Sequence, residues 1–197
     1  MRLDSYDNKN GYRVVLSDQE REEIRDRIYR TQSKIGWELA SYCGLRRQEI
    51  EYVRHRDLRK RDTGDWILRV WEDGAKRSKY RETPVPETVA TRIQTMAEVN
   101  DVSPDQSIIE VSMRTVQRWL KRFCGELALQ YDDEGYRHIK LHDGRRTWAN
   151  SLLDAGVSPM MVMQWGGWDD WRTFRDHYLQ DFTEQKQSEE IGKVAWV

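Results

Sequence analysis

Read for the spacing of its apolar residues, the chain is mostly helical with one small sheet. Ser17-Asp-Gln-Glu20 has the form of a capping box, and Ile24 and Ile28 follow at a four-residue interval, which predicts a helix starting at that serine. Helix resumes over about 35–42, breaks at Gly44 and restarts with Arg46 in its first turn. Trp66-Ile-Leu-Arg-Val-Trp71 alternates and is rich in β formers, so it reads as a strand. Glu72-Asp-Gly-Ala75 then turns, and Tyr80-Arg-Glu-Thr-Pro-Val-Pro86 returns as an edge strand ended by proline. Further helices are predicted over 87–98, 112–130, 143–155, 158–165 and 171–178. The fold class that follows is mainly α with a small antiparallel β-sheet, an α+β arrangement. Cys43, Trp37, Trp119, Trp148 and Trp165 are expected in the core, and Met160, Met161 and Met163 read as core filling around a helix turn.

Composition changes this picture little. A chain of 197 residues suits one domain with a real core. Charged residues make up 34% with a net charge of −1, so bulk electrostatics give no reason to expect nucleic acid. Their distribution does. Basic residues cluster over 54–61, 114–122 and 137–146, while acids gather near 18–26 and 181–190. One such cluster alone is a solvated helix face. Three of them together point to a basic groove on phosphates, with Arg54, Arg56, Arg59, Arg114, Arg118, Lys121, Arg122, Lys140 and Arg146 as the candidate DNA contacts. Two cysteines, Cys43 and Cys124, imply no disulfide framework. The polar start and the lack of a bilayer-length apolar run lead us to expect a soluble cytoplasmic protein without membrane attachment.

The chemistry is concentrated in His142-Asp-Gly-Arg145-Arg146-Thr147, followed about thirty residues later by Trp168 and then Tyr178. Tyrosine is a poor nucleophile at neutral pH, since its phenol has a pKa near ~10. It needs neighbours that stabilise the phenolate or the charge on the group it attacks. Guanidinium suits a phosphodiester, because its planar fork matches two phosphate oxygens and stays charged. Arg46, in Tyr42-Cys-Gly-Leu-Arg-Arg-Gln-Glu49, is placed to supply a second one.

Three blocks in this order resemble the tyrosine recombinase, or phage integrase, family over roughly residues 17–182. They are Cys43-Gly-Leu-Arg46 with Glu49, Lys140-Leu-His142-Asp-Gly-Arg145-Arg-Thr147, and Gly166-Gly-Trp168 leading to His177-Tyr178. The resemblance implies a DNA strand transferase in which Tyr178 is the nucleophile and Arg46 and Arg145 bind the scissile phosphate. His142 would donate to that phosphate or manage the tyrosine proton. The family carries a general-acid lysine in the hairpin between the first two blocks. Lys76, soonest after the turn glycine, is the first choice and Lys79 the second. Trp168 stands where many members have histidine; its indole N–H donates but cannot accept a proton. Glu49 would orient the lysine or Arg46. Gly144 departs from the usual leucine, and since glycine costs about 1 kcal/mol inside a helix, the helix carrying Arg145 is expected to begin nearer that residue.

His138 and His142, four residues apart, could face one way as metal ligands, but no acid or cysteine completes the set, and the family chemistry needs neither metal nor cofactor. The organisation expected is a polar N-terminal segment over 1–16, a catalytic domain over 17–182 and a tail over 183–197. Related recombinases exchange such tails within a tetramer on double-stranded DNA, which would give Ile191, Val194 and Trp196 a role between protomers; the alternative is packing of the tail against its own chain. The family's usual N-terminal clamp domain is not represented, so the chain resembles the catalytic half. The Gly-Gly-Trp and His-Tyr features look most like those of archaeal integrases. Two other readings keep the same fold: type IB topoisomerase-like relaxation, and a DNA-binding relic that no longer cleaves.

Overall fold

The computed structural model describes residues 1–5, 10–71, 80–178, 188 and 190–193. Helix α1 (Asp18–Arg27) begins where the capping box places it. The Ser17 hydroxyl accepts the Glu20 N–H at 3.3 Å and the Glu20 carboxylate accepts the Ser17 N–H at 2.8 Å. Both amides would otherwise lack a partner at the helix start. Helix α2 (Thr31–Ser41) is buried continuously from Ile35 to Ser41. A helix buried all round belongs in the middle of a domain. Around α2 pack α1, α4 (Glu87–Val99), α5 (Met113–Tyr131) and α6 (Leu141–Asp154). Its one buried carboxylate, Glu38, accepts from Arg92 Nε of α4, so the charge is partnered.

The chain leaves α2 through Gly44 and enters α3 (Arg47–Tyr52) with Arg46 as N-cap, one residue before the helix and not within its first turn. A three-stranded antiparallel sheet follows in the order β3-β4-β5, from β3 (Leu58–Lys60), β4 (Trp66–Val70) and β5 (Arg81–Val85). Leu68 pairs with Leu58 on one side and Thr83 on the other. The two longer strands match the alternation in the sequence, and Pro84 is tolerated because β5 is an edge strand. The short β3 is not foreseen, since its Leu-Arg-Lys sequence reads only as part of a basic cluster. The segment ahead of Ser17 also forms a hairpin, β1 (Arg2–Ser5) with β2 (Tyr12–Val15). It docks on α6: the Val14 N–H donates to Asp143 Oδ1 at 3.2 Å and the Leu16 N–H to Thr147 Oγ1 at 3.1 Å.

Two expectations need correction. Helix α6 starts at Leu141, ahead of Gly144, so that glycine does not delay it. A Cβ on Gly144 would sit 3.0 Å from Trp37 Cζ3 and 3.1 Å from Ser41 Cβ; the glycine lets α6 approach α2 closely. Gly144→Leu should therefore lower stability by about 1–3 kcal/mol through overpacking. Urea unfolding measures this, and an unchanged midpoint would mean that the crossing relaxes freely. Secondly, Met160 and Met161 are exposed and only Met163 is buried. Helix α7 (Pro159–Gly166) is short and turns a single stripe inward, made of Val162, Met163 and Gly166. Trp37 and Trp148 are core residues as expected, whereas Trp119 and Trp165 are half-buried.

The chain divides into two units, residues 1–167 and 168–197. All of the elements above lie in the first. The second contains α8 (Trp171–Tyr178).

Candidate active site

The first unit gathers three arginines, distant in sequence, on one buried carboxylate. Glu49 is fully buried in the first turn of α3. Its Oε2 accepts the Arg46 N–H at 2.6 Å, which caps the helix, and its Oε1 accepts Arg46 Nη1 at 2.7 Å. Arg81, opening β5, donates Nη1 and Nη2 to the two carboxylate oxygens at 2.9 and 2.8 Å. Arg145, from α6, brings its Nη1 to 3.8 Å from Glu49 Oε2. Burial alone would raise the Glu49 pKa, but Arg81, then Arg145 and Arg46, outweigh it and hold the carboxyl below the usual range.

The same three guanidiniums bind the end of α7. Arg81 Nε donates to Trp165 O at 2.8 Å, Arg145 Nη2 to Gly166 O at 2.7 Å and Arg46 Nη2 to Gly167 O at 2.6 Å. Carbonyls in the last turn of a helix have no intrahelical donor and carry the negative end of its dipole. Three cations on three successive carbonyls answer both needs. Gly167 ends the helix at φ 69°, and a Cβ there would lie 3.0 Å from Arg81 Cδ and 3.4 Å from Arg46 Nη1. Arg145 also donates to Gly44 O, tying the first block to the second. Arg145 and Arg81 are buried, while the Arg46 side chain is 34% exposed.

His142 sits exposed in the first turn of α6. Beside it Asp143 accepts the Lys140 N–H at 3.0 Å and pairs with Arg146 at 2.9 Å. Burial pushes the Asp143 carboxyl up despite these partners. Arg146, expected from the sequence as a DNA contact, is thus half-buried and engaged within its own helix. His138 lies against the Tyr12 ring with centroids 4.6 Å apart, and among the described residues no cluster of His, Cys, Asp and Glu could hold a metal.

In the second unit, Asp170 starts α8 by accepting the Arg172 and Thr173 amides at 3.1 and 3.0 Å. The helix ends on Tyr178, whose ring stacks on Phe174 at 5.0 Å and meets the Trp168 ring edge-on at 5.1 Å. Trp168 and Tyr178, ten residues apart, are therefore neighbours across one turn and a short helix.

The model of the phage integrase family matches residues 14–185. The chain belongs to that family. Its fold is the tyrosine recombinase catalytic-domain fold, similar to XerA recombinase at 17% identity and TM-score 0.70, over 91% of this chain and 64% of that one. The Tn1549 transposon integrase in complex with transposon right end DNA is similar at 15% identity and TM-score 0.73, over 96% of this chain and 69% of that one. The XerH site-specific recombinase bound to palindromic difH substrate is similar at 14% identity and TM-score 0.68, over 92% and 52%. The chain thus spans about half to two thirds of the length of these structures. No curated protein sequence matches it.

Within the family frame, Lys76 and Lys79 lie outside the described residues, as do Val194 and Trp196 of the tail. The strands on either side of the two lysines are described. Trp71 and Tyr80 meet at their ends with ring centroids 5.0 Å apart, and Trp71 Nε1 donates to Asp57 at 2.7 Å. Arg114, Arg118, Lys121 and Arg122 recur at helical spacing on α5 and are all exposed. Arg54, Arg56, Arg59 and Lys140 are exposed as well, with Arg56 paired to Asp105. Among the described residues no helix is long and apolar enough to cross a membrane. Sequence reasoning missed Arg81. Its signal was parity: Arg81 shares the inward face of β5 with buried Thr83 and Val85, where an arginine must find a partner.

Proposed function

We propose that the protein is a site-specific DNA strand transferase that recombines double-stranded DNA by cleavage and rejoining. The Tyr178 phenolic oxygen attacks a backbone phosphorus, forming a 3′-phosphotyrosyl bond as the P–O5′ bond breaks. The phenolic proton passes toward His142, and Lys76, or Lys79 in its place, protonates the departing 5′ oxygen. Trp168 donates its indole N–H to the phosphate. The phosphodiester energy is kept in the tyrosyl link, so rejoining by a 5′-hydroxyl needs no nucleotide and no metal.

One observation carries this reading: three guanidiniums on a single buried carboxylate leave an excess of two positive charges, in a member of the phage integrase family. Arg46 and Arg145 direct that excess onto the non-bridging oxygens, where negative charge grows in the transition state. The related structures include a Tn1549 integrase with transposon end DNA, XerH with a difH substrate and a lambda integrase dimer on a core site, which support duplex DNA as the partner. The exposed cations of α5 and those flanking β3 contact its phosphates. Residues 17–182 form the catalytic domain, and the 183–197 tail reaches a neighbouring protomer in a tetramer on DNA. The activity is exerted in the cytoplasm.

An end-labelled nicked duplex, which traps the covalent intermediate because the freed strand diffuses away, tests the proposal. A pool with a randomised core removes the need to know the site. A denaturation-resistant adduct is expected for the parent and none for Tyr178→Phe. DNA retention without an adduct in either protein would overturn cleavage and favour the non-cleaving relic. Relaxation of supercoiled plasmid without recombinant product would favour the topoisomerase-like alternative.

A further inference from the structure

We propose that Arg81 is a positioning residue for this site: by neutralising Glu49, it leaves the charges of Arg46 and Arg145 to act on the scissile phosphate. This rests on the strand-transfer reading. Glu49 accepts four hydrogen bonds, from the Arg46 N–H, Arg46 Nη1, and Arg81 Nη1 and Nη2, which fill the four lone-pair sites of a carboxylate. Arg81 supplies two of the four, in the bidentate geometry that binds most strongly. Its Nε donates to Trp165 O and both of its terminal nitrogens to Glu49, so each of its nitrogens is engaged inside the cluster. Its charge is committed inward.

Without Arg81, the carboxylate has two empty acceptor sites, with the Arg145 guanidinium 3.8 Å away and Arg46 already attached. Glu49 would then draw both onto itself. The cluster's net charge would also fall from about +2 to about +1 as one of its three guanidiniums is lost, and both changes weaken phosphate binding. Removing the Glu49 charge as well should reverse the effect. Glutamine still accepts the Arg46 N–H as a capping-box residue, and the charge of Arg81→Met/Glu49→Gln returns to about +2 through Arg46 and Arg145. A role limited to holding the strand would give no such recovery. Arg81 also joins the sheet to α7: it is the first residue of β5, two positions beyond Lys79.

The test compares the parent, Arg81→Met, Arg81→Lys and Arg81→Met/Glu49→Gln with two readouts. One is the rate of adduct formation on the randomised nicked duplex. The other is the rise in melting temperature produced by inorganic phosphate, which reads the anion site without catalysis. Arg81→Met should form adduct at least tenfold more slowly and lose most of the phosphate-induced rise. Arg81→Lys should fall between it and the parent, since an ammonium keeps the charge without the fork. The double variant should regain much of both. Parental values in Arg81→Met, or a double variant no better than the single one, would overturn the inference. Absence of adduct in the parent would instead overturn strand transfer, and the phosphate response would still decide the role of Arg81.

Discussion

Glu49→Ala should destabilise the protein by about 3–5 kcal/mol, the usual cost of breaking a buried ion pair by removing one partner. The alanine takes the Glu49 charge away from the buried Arg81 and Arg145 and removes the acceptor that caps α3. Both arginines keep their carbonyls on α7, but the four hydrogen bonds that Glu49 accepts from Arg46 and Arg81 are lost together with its charge. Glu49→Gln keeps the cap and should cost less. Urea or guanidinium unfolding at neutral pH gives the comparison, and an alanine variant within 1 kcal/mol of the parent would show that water enters and solvates the cluster. The pH dependence has a definite sign. The folded pKa of Glu49 is depressed, so its contribution is complete above the unfolded value near ~4.3. As pH falls below that value the unfolded chain binds the proton first, and the contribution is lost through the folded pKa. Parent stability should thus drop on acidification by a component that Glu49→Gln lacks.

Arg145→Lys should slow adduct formation by a factor on the order of 10²–10³, the range for losing one oriented donor to a developing oxyanion. The substitution keeps the formal charge. However, one ammonium cannot span Gly44 O and Gly166 O while holding station beside Glu49, as the guanidinium does. Retention of DNA should change much less, because the phosphate contacts proposed for the exposed cations of α5 are left in place. Single-turnover kinetics on the nicked duplex, together with retention at two salt concentrations, separate the two effects. A rate within threefold of the parent would reduce Arg145 to a support for α7. Equal losses in rate and retention would make it a general phosphate contact.

The two measurements address different layers of one arrangement. Glu49 holds the cluster together, and the surplus charge of the cluster is what the proposed chemistry uses. Stability and activity therefore need not move together. Glu49→Gln should lose stability while raising the local positive charge, whereas Arg145→Lys should chiefly lose rate.

Much of this arrangement is legible in the amino-acid order. The capping box at Ser17, the strand at 66–71 and the returning edge strand at 80–86 are local signals, set by residues within a few positions of one another, and each forms where the sequence puts it. The three motif blocks are equally plain, because each is a short run. What stays hidden is long-range. Gly144 reads as a helix breaker along the chain, whereas in the fold it is the point where Trp37 and Ser41 of α2 press on α6. The first sixteen residues read as a polar lead, because Asp143 and Thr147, which receive the amides of Val14 and Leu16, lie about 130 positions away.

Local spacing and side-chain chemistry are enough to specify the main helices and the β4–β5 strand pair, and the resemblance of three short blocks adds the family and the candidacy of Arg46, Glu49, His142, Arg145 and Tyr178. Packing in three dimensions adds that Glu49 is fully buried, that Arg81 shares it, and that Arg81, Arg145 and Arg46 take three successive carbonyls at the end of α7. A carboxylate moved out of water must gather its counter-charges from wherever the fold brings them. Here they come from the N-cap of α3, the first residue of β5 and the first turns of α6, a combination that no local pattern encodes.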